Sequence, residues 1–155
     1  MAAGRLYTIT IGDQAQTTAK TLIEVGAAAD LMIAIERMWI SQSSFDTSEN
    51  VGAKVEDITT TGTGTDSSGA VVPFVQSDTA FSGTLETNST IEPTYSGSVY
   101  IEQGFNVLSG WLWTPANDDE VIWISPSQLV GMMLSVAPSG SMNFSYGMTL
   151  RELGG

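Results

Sequence analysis

The chain contains no cysteine and no histidine among its 155 residues. Without cysteine it can form no disulfide, no thiolate nucleophile and no sulfur-ligated metal site. Without histidine it lacks the commonest general base, the commonest metal ligand and the usual pH switch near neutrality. These two absences predict a protein with no cofactor and no metal.

Basic residues are also scarce. Five Lys and Arg residues stand against seventeen Asp and Glu residues, which gives a formal net charge of −12. Such a charge opposes contact with phosphate backbones and with anionic lipids, so we expect neither nucleic acid nor membrane as a partner. No apolar run approaches the roughly 18–20 residues of a membrane span, and the first residues lack the layout of a secretion signal.

The best remaining enzymatic interpretation is a hydrolase that uses two carboxylates, held about 5–10 Å apart on neighbouring strand positions. Glu24, Glu36 and Glu102 are the acids that lie within strongly apolar segments, and no two of them are spaced i, i+2 on one strand. Glu36 could instead pair with a basic group. We therefore expect the protein not to be an enzyme.

Alternation of apolar and polar residues with period two recurs along the chain. It is clearest from Met142 to Arg151, where the even-numbered positions are apolar, and from Leu129 to Val136. Similar patterns at 5–11, 17–27, 31–41 and 99–105 predict further strands. About eight antiparallel strands must stack or close to cover their faces, so the sequence predicts an all-β, antiparallel two-sheet sandwich, most simply a jelly roll.

We expect one domain over residues 1–155 because no composition break divides the chain. Residues 1–12 are predicted to form an N-terminal arm. Residues 59–69 consist only of Thr, Gly, Ser and Asp, and they predict a flexible exposed loop.

A tryptophan-rich segment near the C-terminal end is the most informative part of the sequence. Gly110 to Trp113 and Val121 to Ile124 flank a polar turn, and we expect them to pair as a hairpin with Trp111 opposite Trp123 and Leu112 opposite Ile122. Both faces of both strands would then be apolar, which is not typical of a sheet with one wet face. The pattern predicts that a second sheet and a partner subunit cover them.

The aromatic residues have two interpretations. Large rings bury much area, so they could anchor a core or a subunit interface, or flat rings could form a platform that stacks on sugars. The residues that we assign to this interface or sugar platform are Trp111, Trp113, Trp123, Tyr100, Phe105 and Met133. The tryptophans are expected to share one face of the hairpin.

The turn Asn117 to Glu120 carries four consecutive oxygen-bearing side chains. Hard cations such as Ca²⁺ bind several carboxylate and carbonyl oxygens, so this turn could hold a cation. The alternative is a solvated acidic turn that closes the hairpin.

The segments of the chain come in the order Ala19 to Val25, Ile33 to Ser41, Ile91 to Thr94, the tryptophan-rich segment, Leu129 to Pro138 and a last strand ending at Arg151-Glu152. In this order of its segments the chain resembles small jelly-roll proteins encoded by phages and prophages. These are similar in outline to the tumour-necrosis-factor-like jelly roll. The resemblance implies a virion structural protein (a capsid decoration, cement or fibre-type protein) assembled in the host cytoplasm. It also implies a homotrimer whose partners are other virion proteins, and the alternative function is a carbohydrate-binding module with a glycan partner. The metal-binding histidines of cupin-type jelly rolls cannot exist in this chain.

Overall fold

The structure is a computed structural model that describes residues 4–44 and 47–154. Within these ranges the chain forms twelve strands and two short 3-10 turns, at Ser68–Ala70 and Asp118–Glu120. The strands are β1 (Arg5–Gln16), β2 (Lys20–Gly26), β3 (Met32–Gln42), β4 (Asn50–Thr60), β5 (Thr63–Asp66), β6 (Val72–Pro73), β7 (Thr84–Ile91), β8 (Thr94–Asn106), β9 (Trp111–Trp113), β10 (Ile122–Ile124), β11 (Leu129–Val136) and β12 (Met142–Leu153).

The strands form two antiparallel sheets that pack face to face. The front sheet has the order β10-β3-β12-β1-β6, with β9 also paired to β3, and the back sheet has the order β5-β7-β2-β11-β4-β8. The predicted all-β sandwich is therefore confirmed.

The pairings are nested along the chain, which is the connectivity of a jelly roll. The first strand pairs with the last (β1 with β12), β2 pairs with β11, β3 pairs with β9 and β10, and β4 pairs with β8. The chain behaves as one long hairpin rolled into two sheets, with β5, β6 and β7 added at the edges.

The period-two pattern determines which side chains enter the core. In β12, Met142, Phe144, Tyr146, Met148 and Leu150 are all buried between the sheets, while the residues between them point outward or sit in tight backbone contacts. Leu22, Ile23, Val25, Val130, Met132 and Leu134 fill the core from the back sheet. The strand ranges predicted for Leu129 to Val136 and Met142 to Arg151 are confirmed.

Two predictions of irregular structure are wrong. Residues 5–12 belong to β1, which lies inside the front sheet between β12 and β6, so they are not a free arm; residues 1–3 of the predicted arm lie outside the described residues. The predicted loop at 59–69 is mostly exposed, as expected, but it is not irregular throughout, because it contains β5, which pairs with β7 at the edge of the back sheet. Polar Thr and Gly residues can form an exposed edge strand because backbone hydrogen bonds, not side-chain burial, hold it.

None of the helical turns in the described ranges is long and apolar enough to cross a membrane.

Candidate binding site at the edge of the sandwich

The two tryptophan-containing strands do not form the predicted hairpin. In β9, Trp111 pairs with Ile40 and Trp113 with Met38, while in β10 Ile122 pairs with Ile35 and Trp123 with Ala34. The two strands thus lie end to end along the same partner, β3, as one edge strand interrupted by residues 114–121. The two strands do not pair with each other because, in the nested topology, both pair with β3.

The tryptophans do not share one face either. Trp111 is 4% exposed and Trp113 is half-buried against the core, whereas Leu112 between them is 66% exposed. In β10 the two isoleucines are buried and Trp123 is 41% exposed. Alternation along each strand therefore directs Trp111 and Trp113 between the sheets and Trp123 outward.

The buried ring of Trp111 is held by the opposite sheet. Its indole Nε1 donates a hydrogen bond to Oε1 of Gln103 on β8, at 3.2 Å. This bond satisfies the single donor of a buried tryptophan and joins the edge of the front sheet to the edge of the back sheet. Trp111 is therefore part of the core of a single chain.

The acidic turn between β9 and β10 is organised by its own backbone. Asn117 caps the short 3-10 turn, because its Oδ1 accepts a hydrogen bond from the backbone N–H of Asp119 at 2.9 Å. The side chain of Asn117 also donates to Oε1 of Glu120 at 3.2 Å. Among residues 4–44 and 47–154, no group of three or more acidic side chains is placed to hold a metal ion. The side chain of Asn117 thus holds the turn together by hydrogen bonds within it.

A cleft of about 380 Å³ opens between the edges of the two sheets. This volume is within the range of roughly 300–1,000 Å³ that is typical of small-molecule sites. One wall is formed by β8, and the other by β9, β10 and the acidic turn. The lining residues are Tyr100, Ile101, Trp113, Asp119, Glu120, Val121, Ile122 and Trp123.

Tyr100 enters the cleft because β8 bulges at that point. Ile101 pairs with Val55 and Val99 with Glu56, so Tyr100 is the extra residue between two successive pairs. Its hydroxyl donates to Oδ1 of Asp57 at 2.6 Å. Burial, together with this hydrogen bond to Asp57 and its negative charge, raises the pKa of Tyr100 to about 12. The phenol is therefore neutral at physiological pH and its orientation is fixed by Asp57.

The structure brings together three of the six residues assigned to the interface or sugar platform, namely Tyr100, Trp113 and Trp123. Trp111 and Phe105 are instead buried in the core of the single chain. Met133 is half-buried and pairs with Lys54 and Thr21 of the back sheet, outside the cleft. The surplus of apolar surface is thus smaller than the sequence predicted.

The outer face of the front sheet, which we call the front face, carries exposed apolar side chains. In one row across the sheet Leu112 pairs with Trp39, and Trp39 with Gly147. A second row contains Trp123 and Ala34, and the pair Arg37 and Thr149 lies between the two rows. Val72 and Phe74, each 57% exposed, lie at the far edge beside β1. No other element of the described chain covers this face.

The front face also carries positive charge. Arg151 pairs with Glu36, with 2.6 Å between Nε and Oε1, as the sequence suggested for Glu36. Arg37 is exposed on the same strand. A shallow groove of about 290 Å³ is lined by Phe74, Leu6, Thr149 and these charged residues.

The outer face of the back sheet, the back face, has a different composition that the sequence did not reveal. Glu24 of β2 and Glu56 of β4, each 3% exposed, flank Gly131 of β11, and Glu86 of β7 pairs with Glu24. Three carboxylates therefore lie in one row across four strands. They are far apart in sequence, so only the strand register brings them together.

Each of these carboxylates accepts a hydrogen bond from the backbone of a loop or edge strand. Glu24 Oε2 accepts from the N–H of Gly62 at 3.1 Å, and Glu86 Oε2 accepts from Gly64 at 2.8 Å. Glu56 accepts from the N–H of Gly97 at 2.6 Å and pairs with Lys54, also at 2.6 Å. The acids thus fasten the loops and the edge strands to the sheet.

Tyr95 covers the centre of this row. Its hydroxyl lies so close to Gly131 that a Cβ at that glycine would be only 2.6 Å away, and it shares a 2.6 Å hydrogen bond with Oγ1 of Thr21. Burial and the nearby charges of Glu92, Glu24 and Glu56 raise the pKa of Tyr95, although the Thr21 hydrogen bond lowers it. The tyrosine therefore stays neutral and lies over Gly131, between Glu24 and Glu56.

Comparison of the chain with protein-family models, with curated proteins and with solved structures finds no match in any of the three.

Proposed function

We propose that this jelly-roll protein is a non-enzymatic structural protein of a virion, a capsid decoration, cement or fibre-type protein that acts by self-association and surface binding. The observation that carries the proposal is the front face, where Leu112, Trp123, Val72 and Phe74 are exposed on one side of one sheet. These side chains lie at the two edges of the sheet, and exposed apolar area of this kind is typical of interaction surfaces.

The partner that we propose for this face is a further copy of the chain in a homotrimer. When the front face of each copy contacts a different surface of the next copy, three copies form a closed ring if each is rotated by a third of a turn from the last. Arg37, which is exposed on the front face, suits such a contact, because the rest of a chain with net charge −12 offers mainly carboxylates. Apolar burial would supply the affinity, and the charges would orient the copies.

Light scattering at micromolar concentration tests the self-association. We expect a mass near three times the 16.4 kDa of the single chain. The double variant Leu112→Ser, Trp123→Ser should reduce the mass to that of one chain. Val136→Ser is the matched control, because Val136 is exposed at the end of β11 in the back sheet, and it should leave the mass unchanged. A wild-type mass of 16.4 kDa that persists on concentration would exclude this function.

The virion setting has a separate test. Genes for capsid, portal or tail proteins next to the gene for this chain would support it. A neighbourhood made only of metabolic genes would contradict the virion setting while leaving self-association standing.

A carbohydrate-binding module is the second candidate function, and the cleft is the observation that favours it. Aromatic residues from both sheets, Tyr100 and Trp113, line one opening together with Trp123 and two carboxylates. Sugars have apolar CH surfaces that pack on rings and hydroxyls that bond to carboxylates. Tryptophan-fluorescence titration with a sugar panel tests this, and a signal that persists in Trp113→Ala would exclude the cleft as the site.

A further inference from the structure

The charges around the cleft are all of one sign. Asp119 and Glu120 line it, and none of the five Lys and Arg residues of the chain does. Asp57 adds a third carboxylate behind Tyr100, to which it is hydrogen-bonded. Anionic ligands are therefore disfavoured in the cleft, and cations are attracted to it.

The two lining carboxylates are not neutralised within the chain. In the described part of the protein the ion pairs are Arg5–Glu152, Lys54–Glu56 and Arg151–Glu36, and none of them involves the acidic turn. Glu120 accepts only from neutral groups of its own turn, the amide of Asn117 and the backbone N–H of Ala116. Both negative charges are therefore available to a ligand.

The remaining wall is aromatic and apolar. The hydroxyl of Tyr100 is used by Asp57, so its ring is what the residue contributes to the opening, opposite Trp113 on the other sheet. Aromatic rings attract cations through their negative faces, and Trp and Tyr do so well. Metal ions have no fitting set of ligands here, whereas an ammonium group with carbon substituents matches rings and carboxylates together.

We propose that this cleft is a binding site for an organic ammonium group. The carbon substituents of the ligand pack against the rings of Tyr100 and Trp113, and its positive charge lies near Asp119 and Glu120. The same chemistry occurs in amino sugars, in choline headgroups and in lysine side chains. The proposal concerns the cleft alone and does not depend on self-association; it narrows the carbohydrate candidate to amino sugars.

Isothermal titration calorimetry with ligands of one shape and three charges tests the proposal. Glucosamine, glucose and glucuronate share a ring and differ in charge at pH 6, and choline chloride and lysine distinguish the sources of the ammonium group. We expect glucosamine or choline to bind at least about threefold more tightly than glucose. Glucuronate should bind more weakly than glucose, and added NaCl should weaken the binding of the cations but not of glucose.

Variants locate the site. Asp119→Asn should weaken the binding of the cation about threefold or more, while Asp118→Asn should not, because Asp118 belongs to the same turn but does not line the cleft. Tyr100→Leu keeps the apolar volume, removes the ring and should also weaken binding. Unchanged thermal unfolding of each variant shows that the fold is retained.

The possible outcomes separate the proposals. Equal affinity for the three sugars would overturn the ammonium site and leave the carbohydrate candidate standing. Binding of choline or lysine without glucosamine would support the site and exclude the sugar. No heat with any of the five compounds at millimolar concentration would overturn both, whatever the mass of the assembly.

Discussion

The two sheets bury similar aliphatic and aromatic residues between them, yet their outer faces differ. The front face exposes Leu112 and Trp123 beside arginines and no described segment crosses it. The back face buries Glu24 and Glu56 under loops and under Tyr95. One sheet is therefore completed by its own chain, whereas the other leaves apolar area that a partner can cover. Burial of acids and exposure of hydrophobic residues in the same molecule therefore mark two different tasks, internal fastening and external contact.

Substituting alanine for one glycine on each face tests how tightly the two faces are packed. A Cβ at Gly147 would overlap the ring of Trp39 and the backbone carbonyl of Ile9, which cannot move away. We expect Gly147→Ala to lower the free energy of unfolding by about 3 kcal/mol, and Gly131→Ala by about 1 kcal/mol because its contacts are side-chain atoms of Tyr95 and Ile58, which can shift. Urea unfolding measures both, and Gly69→Ala, where a Cβ meets no atom within 4 Å, is the control. Equal losses of unfolding free energy at Gly147 and Gly131 would show that the two faces are packed equally tightly.

Acids on the two faces should differ as well. Glu24→Ala removes a buried acceptor and leaves the N–H of Gly62 without its partner, so we expect a loss of about 2 kcal/mol. Glu36→Ala breaks a partly exposed ion pair with Arg151 and should cost less than about 1 kcal/mol. The measurement is again urea unfolding. A larger loss for Glu36 would contradict the assignment of the back-face acids as internal fasteners.

Alkaline pH should weaken the back face through Tyr95. The pKa of Tyr95 is raised above its ordinary value of 10.0, so above pH 10 the unfolded chain releases the phenolic proton while the folded chain retains it. Stability is therefore full below pH 10 and falls above it, by at most about 1.4 kcal/mol per pH unit for this one group. Tyr95→Phe should make the fall between pH 10 and 11.5 less steep in thermal unfolding. Tyr100→Phe is the comparison at the cleft, where we expect a smaller change because Tyr100 is more exposed.

The smallest expected effect on the single chain is that of Leu112→Ser. Because Leu112 is exposed, we expect its replacement to change the unfolding free energy of the isolated chain by less than about 0.5 kcal/mol. Its effect on the mass in solution should nevertheless be large if the front face is covered by a further copy. Destabilisation of a dilute, monomeric sample by 2 kcal/mol would show that Leu112 packs within its own chain.

Local patterns predicted the strands well. β11 and β12 follow from their alternation, and β3 follows from the similar pattern at 31–41. Alternation reports which residues share a face of one strand. It does not report which strand lies alongside.

The candidate site was harder to predict, because it depends on which strands pair. Trp111 and Trp123 are close in sequence, and a turn between them suggested a hairpin, but both segments pair with β3, some eighty residues earlier in the chain. Glu24 and Glu56 are distant in sequence and become neighbours through β11. Both features depend on long-range register, for which a single sequence carries no local signal. Tyr100 and Trp113 were selected for their chemistry, and the fold places them together in the cleft.

The nested pairing of the strands has a consequence for the speed of folding. Joining β1 to β12 closes a loop that contains nearly the whole chain, and the entropy lost in such a closure must be overcome before the contacts form. β4 and β8 enclose the shortest loop of the four nested pairs, so we expect refolding to start there and to proceed outward on a timescale of about milliseconds to seconds. Stopped-flow tryptophan fluorescence would follow this order, since Trp111 becomes buried only when β3 and β9 have met.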